Sequence, residues 1–161
     1  GVSVSNKRVT QINLSNNNLV GTIPPNFDRL TGLIDLNLER NDLSGSFPQE
    51  ILSLISLRSL NIRNNNFTDS IPNNIDTLTD LTSLLLFNNP LTGHIPSEIG
   101  NLLNLTNIRI SGTQIDGPIP PELGKLTKLT NLELRSNQLT GSIPPEFGNL
   151  TNLSNFRLLK K

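Results

Sequence analysis

The chain has 161 residues and no net charge, because 13 lysine and arginine residues balance 13 aspartate and glutamate residues. This length fits a single domain, and the charge balance excludes a global field that would attract nucleic acid or an acidic membrane surface. Because the chain has no cysteine, disulfides, thiolate chemistry and cysteine-based zinc sites are excluded as well.

One sequence unit repeats along the chain at a constant spacing, without insertion or deletion. A fixed period in this range is typical of proteins built from stacked coils. We therefore predict one domain over residues 1–161, with six full repeats at 9–152 and a truncated seventh at 153–161. The apolar residues that open the successive copies are Val9, Leu33, Leu57, Leu81, Leu105, Leu129 and Leu153.

Each repeat begins with the pattern L-x-x-L-x-L, as in Leu81, Leu84 and Leu86. The alternation of apolar and polar residues predicts a short strand whose leucines point inward. Equivalent strands in successive coils run in the same direction, so the repeats predict a parallel sheet of seven strands. A single unit buries too little apolar surface to fold alone, and stacked units share the contacts that stabilise them.

An asparagine follows the strand in all of the full repeats except the fifth, where Thr113 takes its place. A side-chain amide that points inward both donates and accepts hydrogen bonds. We therefore predict that this column of asparagines satisfies main-chain groups of neighbouring coils. Its members are Asn17, Asn41, Asn65, Asn89 and Asn137.

The second half of each repeat reads L-x-G-x-I-P with few departures, as in residues 91–96. The glycine indicates a backbone conformation that disfavours a β-carbon, and the proline fixes φ as the chain leaves an extended segment. The residues that follow, such as 97–102, predict one short helical turn on the outer face.

The full pattern, L-x-x-L-x-L-x-x-N-x-L-x-G-x-I-P at this period, resembles the plant-type leucine-rich repeat. That family includes the ectodomains of plant receptor-like kinases and polygalacturonase-inhibiting proteins. The resemblance implies an α/β repeat solenoid, a right-handed curved superhelix with a parallel β-sheet on its concave face. It also implies a short second sheet and 3-10 or short helical turns on the convex side, and an extracellular or cell-surface location.

Residues 1–8 resemble a degenerate remnant of the family's N-terminal cap, since Gly1-Val2-Ser3-Val4 and Arg8-Val9 match its pattern. Val4 stands where that cap carries cysteine, so the cap adds no support for secretion. Without the usual caps we expect both ends of the core to be poorly covered, which would permit self-association through the ends. The longest nearly apolar run, residues 51–57, is too short to span a bilayer.

His94 is the only histidine, and it occupies a variable position of the L-x-G-x-I-P segment. One histidine on a repeat edge supports neither a Ser-His-Asp triad nor a histidine metal site, and no phosphate-binding glycine loop is present. We therefore predict no catalysis, no cofactor and no metal. Five N-x-S/T sequences are candidate glycosylation sites; they begin at Asn13, Asn66, Asn104, Asn149 and Asn152.

The outward positions of the strands predict where a ligand would bind. Leu85 and Phe87 lie on the central strand between Arg63 and Arg109, which is the pattern of an interface anchor, although isolated apolar surface residues are also common. The predicted concave binding residues are Glu39, Arg58, Arg63, Leu85, Phe87, Arg109, Glu133, Arg135 and Arg157.

Charge also separates by face in this interpretation. The concave strands carry seven basic and three acidic residues, a net charge of +4, which favours an acidic protein or peptide partner. The basic residues are Arg40, Arg58, Arg63, Arg109, Arg135, Arg157 and Lys160, and the acidic ones are Asp35, Glu39 and Glu133.

These observations favour a non-catalytic module that recognises a protein or peptide on its concave face, as in a receptor of signalling or defence. Three alternatives stay open. Two are inhibition of a polygalacturonase, which the resemblance alone implies, and a spacer role inside a larger receptor. The third is ice binding by hydroxyl columns, which Asp116, His94 and Pro118 interrupt; one column is Ser44, Thr68, Thr92 and Thr140, and the other is Thr22, Ser46, Ser70 and Ser142.

Overall fold

The computed structural model describes residues 1–158, and its fold is the predicted α/β repeat solenoid. These residues contain thirteen strands and six 3-10 helices, and one helix separates the strands of each coil from those of the next. Residues 159–161, which include Lys160 of the concave charge count and the end of the predicted seventh repeat, lie outside the described residues.

The larger sheet carries the predicted parallel strands, one from each coil. Its strands are β1 (Val2–Ser5), β2 (Arg8–Asn13), β4 (Asp35–Asn37), β6 (Ser59–Asn61), β8 (Ser83–Leu85), β9 (Asn107–Arg109), β11 (Asn131–Glu133) and β13 (Asn155–Arg157), in that order across the sheet. Seven of them are parallel, and each residue pairs with its equivalent in the next repeat, as Leu60 does with Leu84. The eighth, β1, is antiparallel to β2, so residues 2–5 form a hairpin strand at the sheet edge.

The second sheet forms from the L-x-G-x-I-P segments and is interrupted. It contains β3 (Val20–Gly21), β5 (Asp42–Ser46) and β7 (Asn66–Thr68) in one block, and β10 (Asp116–Pro118) and β12 (Gln138–Thr140) in another. Two isolated bridges, Ser70 with Thr92 and His94 with Asp116, lie between the blocks.

The register of this second sheet differs from that of the larger one. Ser46 pairs with Thr68, although its equivalent in the next repeat is Ser70. The hydroxyl columns considered for ice binding are therefore staggered at every coil. They are also broken where His94 pairs with Asp116 and where Pro118 pairs with Thr140. The hydroxyl array is therefore interrupted, which argues against ice binding.

A short 3-10 helix follows the proline of each L-x-G-x-I-P segment, as predicted. Pro96, for example, caps one of these helices with φ −68° and ψ 137°, an extended conformation that the pyrrolidine ring favours. Among residues 1–158, no helix is both long and apolar enough to span a membrane. The six helices are Pro25–Arg29, Gln49–Ser53, Asn73–Thr77, Ser97–Asn101, Pro121–Lys125 and Pro145–Asn149.

The apolar side chains of the repeats form one continuous core. Leu57, Leu81 and Leu105, which open the central coils, are fully buried. In the end coils Val9 is half-buried and Phe156 is 37% exposed, because a coil at the end of a stack has a neighbour on one side only. The most completely packed part of the solenoid is therefore its middle.

The asparagine column lies between coils and bonds main-chain groups of two of them. Asn41, Asn65 and Asn89 are buried, and the Nδ2 of each donates to carbonyl oxygens of its own coil and of the preceding one. Asn17 differs, because it is exposed and its amide donates to Ser15 O within the same turn. Within residues 1–158 the antiparallel strand β1, and not a further coil, precedes this repeat, so its amide bonds within its own turn.

Replacing Thr113 with asparagine is expected to raise the free energy of unfolding by about 1 kcal/mol. The main-chain N–H groups of Leu19, Leu43 and Phe67 each donate to the Oδ1 of an asparagine in the next coil. The equivalent N–H of Leu91 has no acceptor among residues 1–158, because Thr113 is too short to reach it. Urea unfolding followed by circular dichroism measures the change, and a lower midpoint in Thr113→Asn would contradict the assignment.

Candidate binding face

Three side chains from consecutive coils stack on the outward face of the larger sheet. The ring of half-buried Phe87 lies 4.9 Å from the Cζ of Arg63, in the preceding coil, and 4.4 Å from the Cζ of Arg109, in the following coil. Both distances are within the range of cation–π attraction. We call Arg63, Phe87 and Arg109 the Arg–Phe–Arg stack.

A glutamate holds each end of this stack. Arg63 Nη2 donates to Glu39 Oε1, and Arg109 Nε donates to Glu133 Oε2 at 3.0 Å. Both carboxylates are buried, with exposures of 9% for Glu39 and 4% for Glu133. Charge-assisted bonds of this kind fix the guanidinium planes, so both arginines are oriented before any ligand arrives.

The hydrogen bond from Arg63 is the main reason that the pKa of Glu39 lies below its ordinary value of 4.5. Burial opposes the shift, while the amide of Asn61, at 3.2 Å from Glu39 Oε2, and the charge of Arg40 assist it. Glu39 therefore stays ionised at neutral pH and continues to hold Arg63. The stability that this lowered pKa contributes is complete above the ordinary value of 4.5 and is lost as the pH falls from there through the lowered pKa of Glu39.

The remaining predicted residues are distributed unevenly around the stack. Leu85 is half-buried on β8, two residues before Phe87, and Arg157 lies 3.8 Å from Glu133. Arg135 is half-buried, whereas Arg58 is exposed just before β6 and contacts no member of the stack through an ion pair or hydrogen bond among residues 1–158. The structure thus brings most of the predicted set together and leaves Arg58 apart.

A ladder of polar side chains, which was not predicted from the sequence, crosses the outward face of the larger sheet. Asn107 donates to Ser83 Oγ at 3.5 Å, Asn131 donates to Asn107 Oδ1 at 2.6 Å, and Asn155 donates to Asn131 Oδ1. The ladder could have been predicted from the sequence, because the three asparagines recur at the period of the repeat in an outward strand position. This ladder adds amide donors and acceptors to the outward face of the larger sheet.

The residues that could carry other chemistry are not part of the stack. His94 Nδ1 pairs with Asp116 Oδ1 at 2.6 Å on the second sheet, where both side chains are largely exposed. Within residues 1–158, no group of three His, Cys, Asp or Glu side chains gathers where it could hold a metal ion. The candidate glycosylation residues are exposed except for half-buried Asn104, which donates to Thr79 O; the exposed ones are Asn13, Asn66, Asn149 and Asn152.

Comparisons with known families and structures agree with this architecture. Family profiles described as leucine-rich repeat match residues 7–67, 80–102, 104–126 and 128–150. The BIR2 ectodomain from Arabidopsis thaliana is 30% identical over 88% of this chain and 76% of that one, with a TM-score of 0.79. A sequence search of curated proteins found no match.

Two longer receptor structures are also similar. The ectodomain of the plant membrane receptor kinase GASSHO1/SCHENGEN3 from Arabidopsis thaliana, solved with CASPARIAN STRIP INTEGRITY FACTOR 2, is 38% identical over 99% of this chain, with a TM-score of 0.95. The ectodomain of the Arabidopsis receptor kinase HAESA, solved with an extended IDA peptide hormone, is 33% identical over 98% of this chain, with a TM-score of 0.92. The chain spans 20% and 27% of their respective lengths.

Proposed function

Because the chain belongs to the plant-type leucine-rich repeat family, we propose that it is a non-catalytic recognition module, similar to a receptor ectodomain, that binds a peptide or protein on its concave face. The observation that carries the proposal is the Arg–Phe–Arg stack at the centre of that face. Arginine and aromatic residues held rigidly at the centre of an interface contribute most of the binding energy in many complexes.

The chemistry of the face supports binding rather than bond breaking. The stack offers guanidinium N–H donors, an aromatic edge and the apolar side chain of Leu85, and the asparagine ladder adds amides for the main chain of a ligand. Because Glu39 and Glu133 orient the arginines in advance, little side-chain freedom is lost on binding, which favours affinity.

A peptide with acidic groups fits the face best. The arginine N–H groups that do not bond the glutamates remain available for carboxylates. The GASSHO1/SCHENGEN3 and HAESA structures contain CASPARIAN STRIP INTEGRITY FACTOR 2 and a peptide hormone respectively, and both are receptor ectodomains. By this analogy we place the protein outside the cell or at its surface, in signalling or defence.

Selection of peptides from a displayed random library tests the proposal. The wild-type chain is expected to enrich peptides that Phe87→Ala binds at least tenfold more weakly, because loss of a central aromatic anchor commonly costs about 2 kcal/mol or more, roughly a thirtyfold change. Affinities are measured by fluorescence anisotropy with synthetic copies of the enriched peptides.

The matched control is Ile55→Ala, which removes an apolar side chain that is 61% exposed and lies outside the predicted binding set. This variant is expected to bind the enriched peptides as the wild type does, and thermal unfolding checks that Phe87→Ala remains folded. If no peptide is enriched, or if the enriched peptides bind Phe87→Ala equally well, the concave site is wrong.

A further inference from the structure

Ser111 occupies an unusual place on the concave face. It follows β9 and lies between Phe87 of the preceding coil and Arg135 of the following one, since Asn88 N donates to Ser111 O and Gly112 N donates to Arg135 O. Its side chain is 6% exposed, and its Oγ has no hydrogen-bond partner among residues 1–158. A buried hydroxyl without a partner is costly to the folded state.

Arg135 is the second group at this place that has no side-chain partner among residues 1–158. The other half-buried arginines of the face, Arg63 and Arg109, each bond a buried glutamate. Arg135 is also half-buried, yet it forms no ion pair with any residue between 1 and 158. A guanidinium that is partly withdrawn from water gains most from an anion that accepts its hydrogen bonds.

The residue that follows Ser111 has no side chain of its own, unlike its equivalents in the other coils. Gly112, which follows Ser111, stands where the other full repeats carry Asn16, Arg40, Asn64, Asn88 and Ser136. Its φ is +63°, and a β-carbon there would lie 2.5 Å from Asn88 Oδ1. Asn88 Oδ1 of the preceding coil reaches into the space that a side chain at position 112 would take, so a ligand reaches this place over half-buried Arg135.

We infer that Ser111 and Arg135 form a subsite for a carboxylate side chain of the ligand, next to an apolar contact at Leu85 and Phe87. The inference rests on the proposed function and specifies its ligand. Phe87 and Arg135 lie two strands apart, a distance of roughly 10 Å at about 4.8 Å per strand. A ligand in the polyproline II conformation rises about 3.1 Å per residue and presents every third side chain on the same face, so the ligand carries its apolar and acidic residues three positions apart.

The library selection described above tests the spacing. The expected motif is an apolar residue and an aspartate or glutamate separated by two residues, in either chain direction. Display by fusion of the peptide's C terminus removes the free carboxyl group, so any selected acid is a side chain. Synthetic peptides with an amidated C terminus, in a glutamate version and a glutamine version, then measure the contribution of the carboxylate.

Two variants assign that contribution to the subsite. Arg135→Gln is expected to weaken binding of the glutamate peptide about 10- to 100-fold, which is the range of one charge-assisted hydrogen bond. Its affinity for the glutamine peptide is expected to stay within about twofold of the wild-type value. Ser111→Ala is expected to weaken binding of the glutamate peptide about fivefold. The melting temperature of this variant is expected to equal or exceed that of the wild type, because a buried hydroxyl without a partner is removed. The control Arg29→Gln makes the same chemical change on an exposed 3-10 helix residue.

The outcomes separate the two proposals. If peptides are selected that depend on Phe87 but lack an acid at this spacing, or if Arg135→Gln weakens both peptides equally, the subsite is refuted while the recognition function stands. If no Phe87-dependent peptide is selected, the proposed function fails and the subsite fails with it.

Discussion

Replacing Asn89 with alanine is expected to lower the free energy of unfolding by about 3 kcal/mol. Asn89 is 1% exposed, and its Nδ2 donates to Leu86 O at 2.9 Å and Ile62 O at 3.0 Å, while its Oδ1 accepts from Phe67 N at 3.1 Å. Ile62 O keeps a second donor in Asn65, but Leu86 O and Phe67 N would have no partner. Each buried group left unpaired costs about 1–3 kcal/mol.

Asn17→Ala is the matched control, because it makes the same change in the same column. Asn17 is exposed and its amide bonds only Ser15 O in its own turn, so its loss is expected to cost less than about 1 kcal/mol. Urea unfolding of both variants, followed by circular dichroism, gives the comparison. Equal losses would show that position within the repeat, and not bonding between coils, determines the effect.

The sequence predicted the solenoid because one physical rule applies in every repeat. Each coil has to bury the same apolar positions against its neighbours, so residues such as Leu60 and Leu84 pair at the period of the sequence. The seven parallel strands and the short helical turns after the prolines follow from that constraint, whereas the second sheet was implied by the family resemblance. An insertion would have shifted the apolar positions of one coil relative to the next, and the sequence contains no insertion.

The register of the second sheet was not predictable in the same way. Ser46 pairs with Thr68, although the period of the sequence would align it with Ser70. This shift depends on how the main chain turns between the two sheets. Aligning equivalent positions of the repeats gives no information about that turn. The sequence therefore predicted that hydroxyl residues one repeat apart would pair, whereas in the structure they are staggered.

Side-chain reach limited what was predictable at the binding face. The sequence placed Phe87 between Arg63 and Arg109 and indicated an exposed aromatic anchor. In the structure both guanidinium groups lie against the ring, because Glu39 and Glu133 on the outer coils hold them there. Long side chains cross from one coil to the next, so the rotamers of several residues decide the arrangement together.

A second kind of glycine was also missed. The glycine of L-x-G-x-I-P was expected from its conformation, and Gly93 does adopt a positive φ of 71°. Gly100 and Gly124, in the 3-10 helices Ser97–Asn101 and Pro121–Lys125, have no such conformation. They are required because the next helix packs directly on them, a contact between coils that no local pattern reveals.

Replacing Gly100 with alanine is expected to lower the free energy of unfolding by about 3 kcal/mol, at the upper end of the usual cost of overpacking. A β-carbon at this position would lie 2.6 Å from the β-carbon of Glu122 and would also overlap Glu122 O. The obstacle includes main chain, which cannot move aside as the end of a flexible side chain can, so the two helices must separate. Thermal and urea unfolding measure the loss.

Gly148→Ala makes the same substitution at the equivalent position two coils later, where no described atom lies within 4 Å of the added β-carbon. The free energy of unfolding of this variant is expected to equal that of the wild type or to be higher by up to about 1 kcal/mol. The reason is that alanine has less conformational entropy to lose on folding than glycine. The opposite signs of the two changes would identify close packing between coils as the cause. A similar loss in both variants would instead point to a requirement for glycine within the 3-10 helix itself.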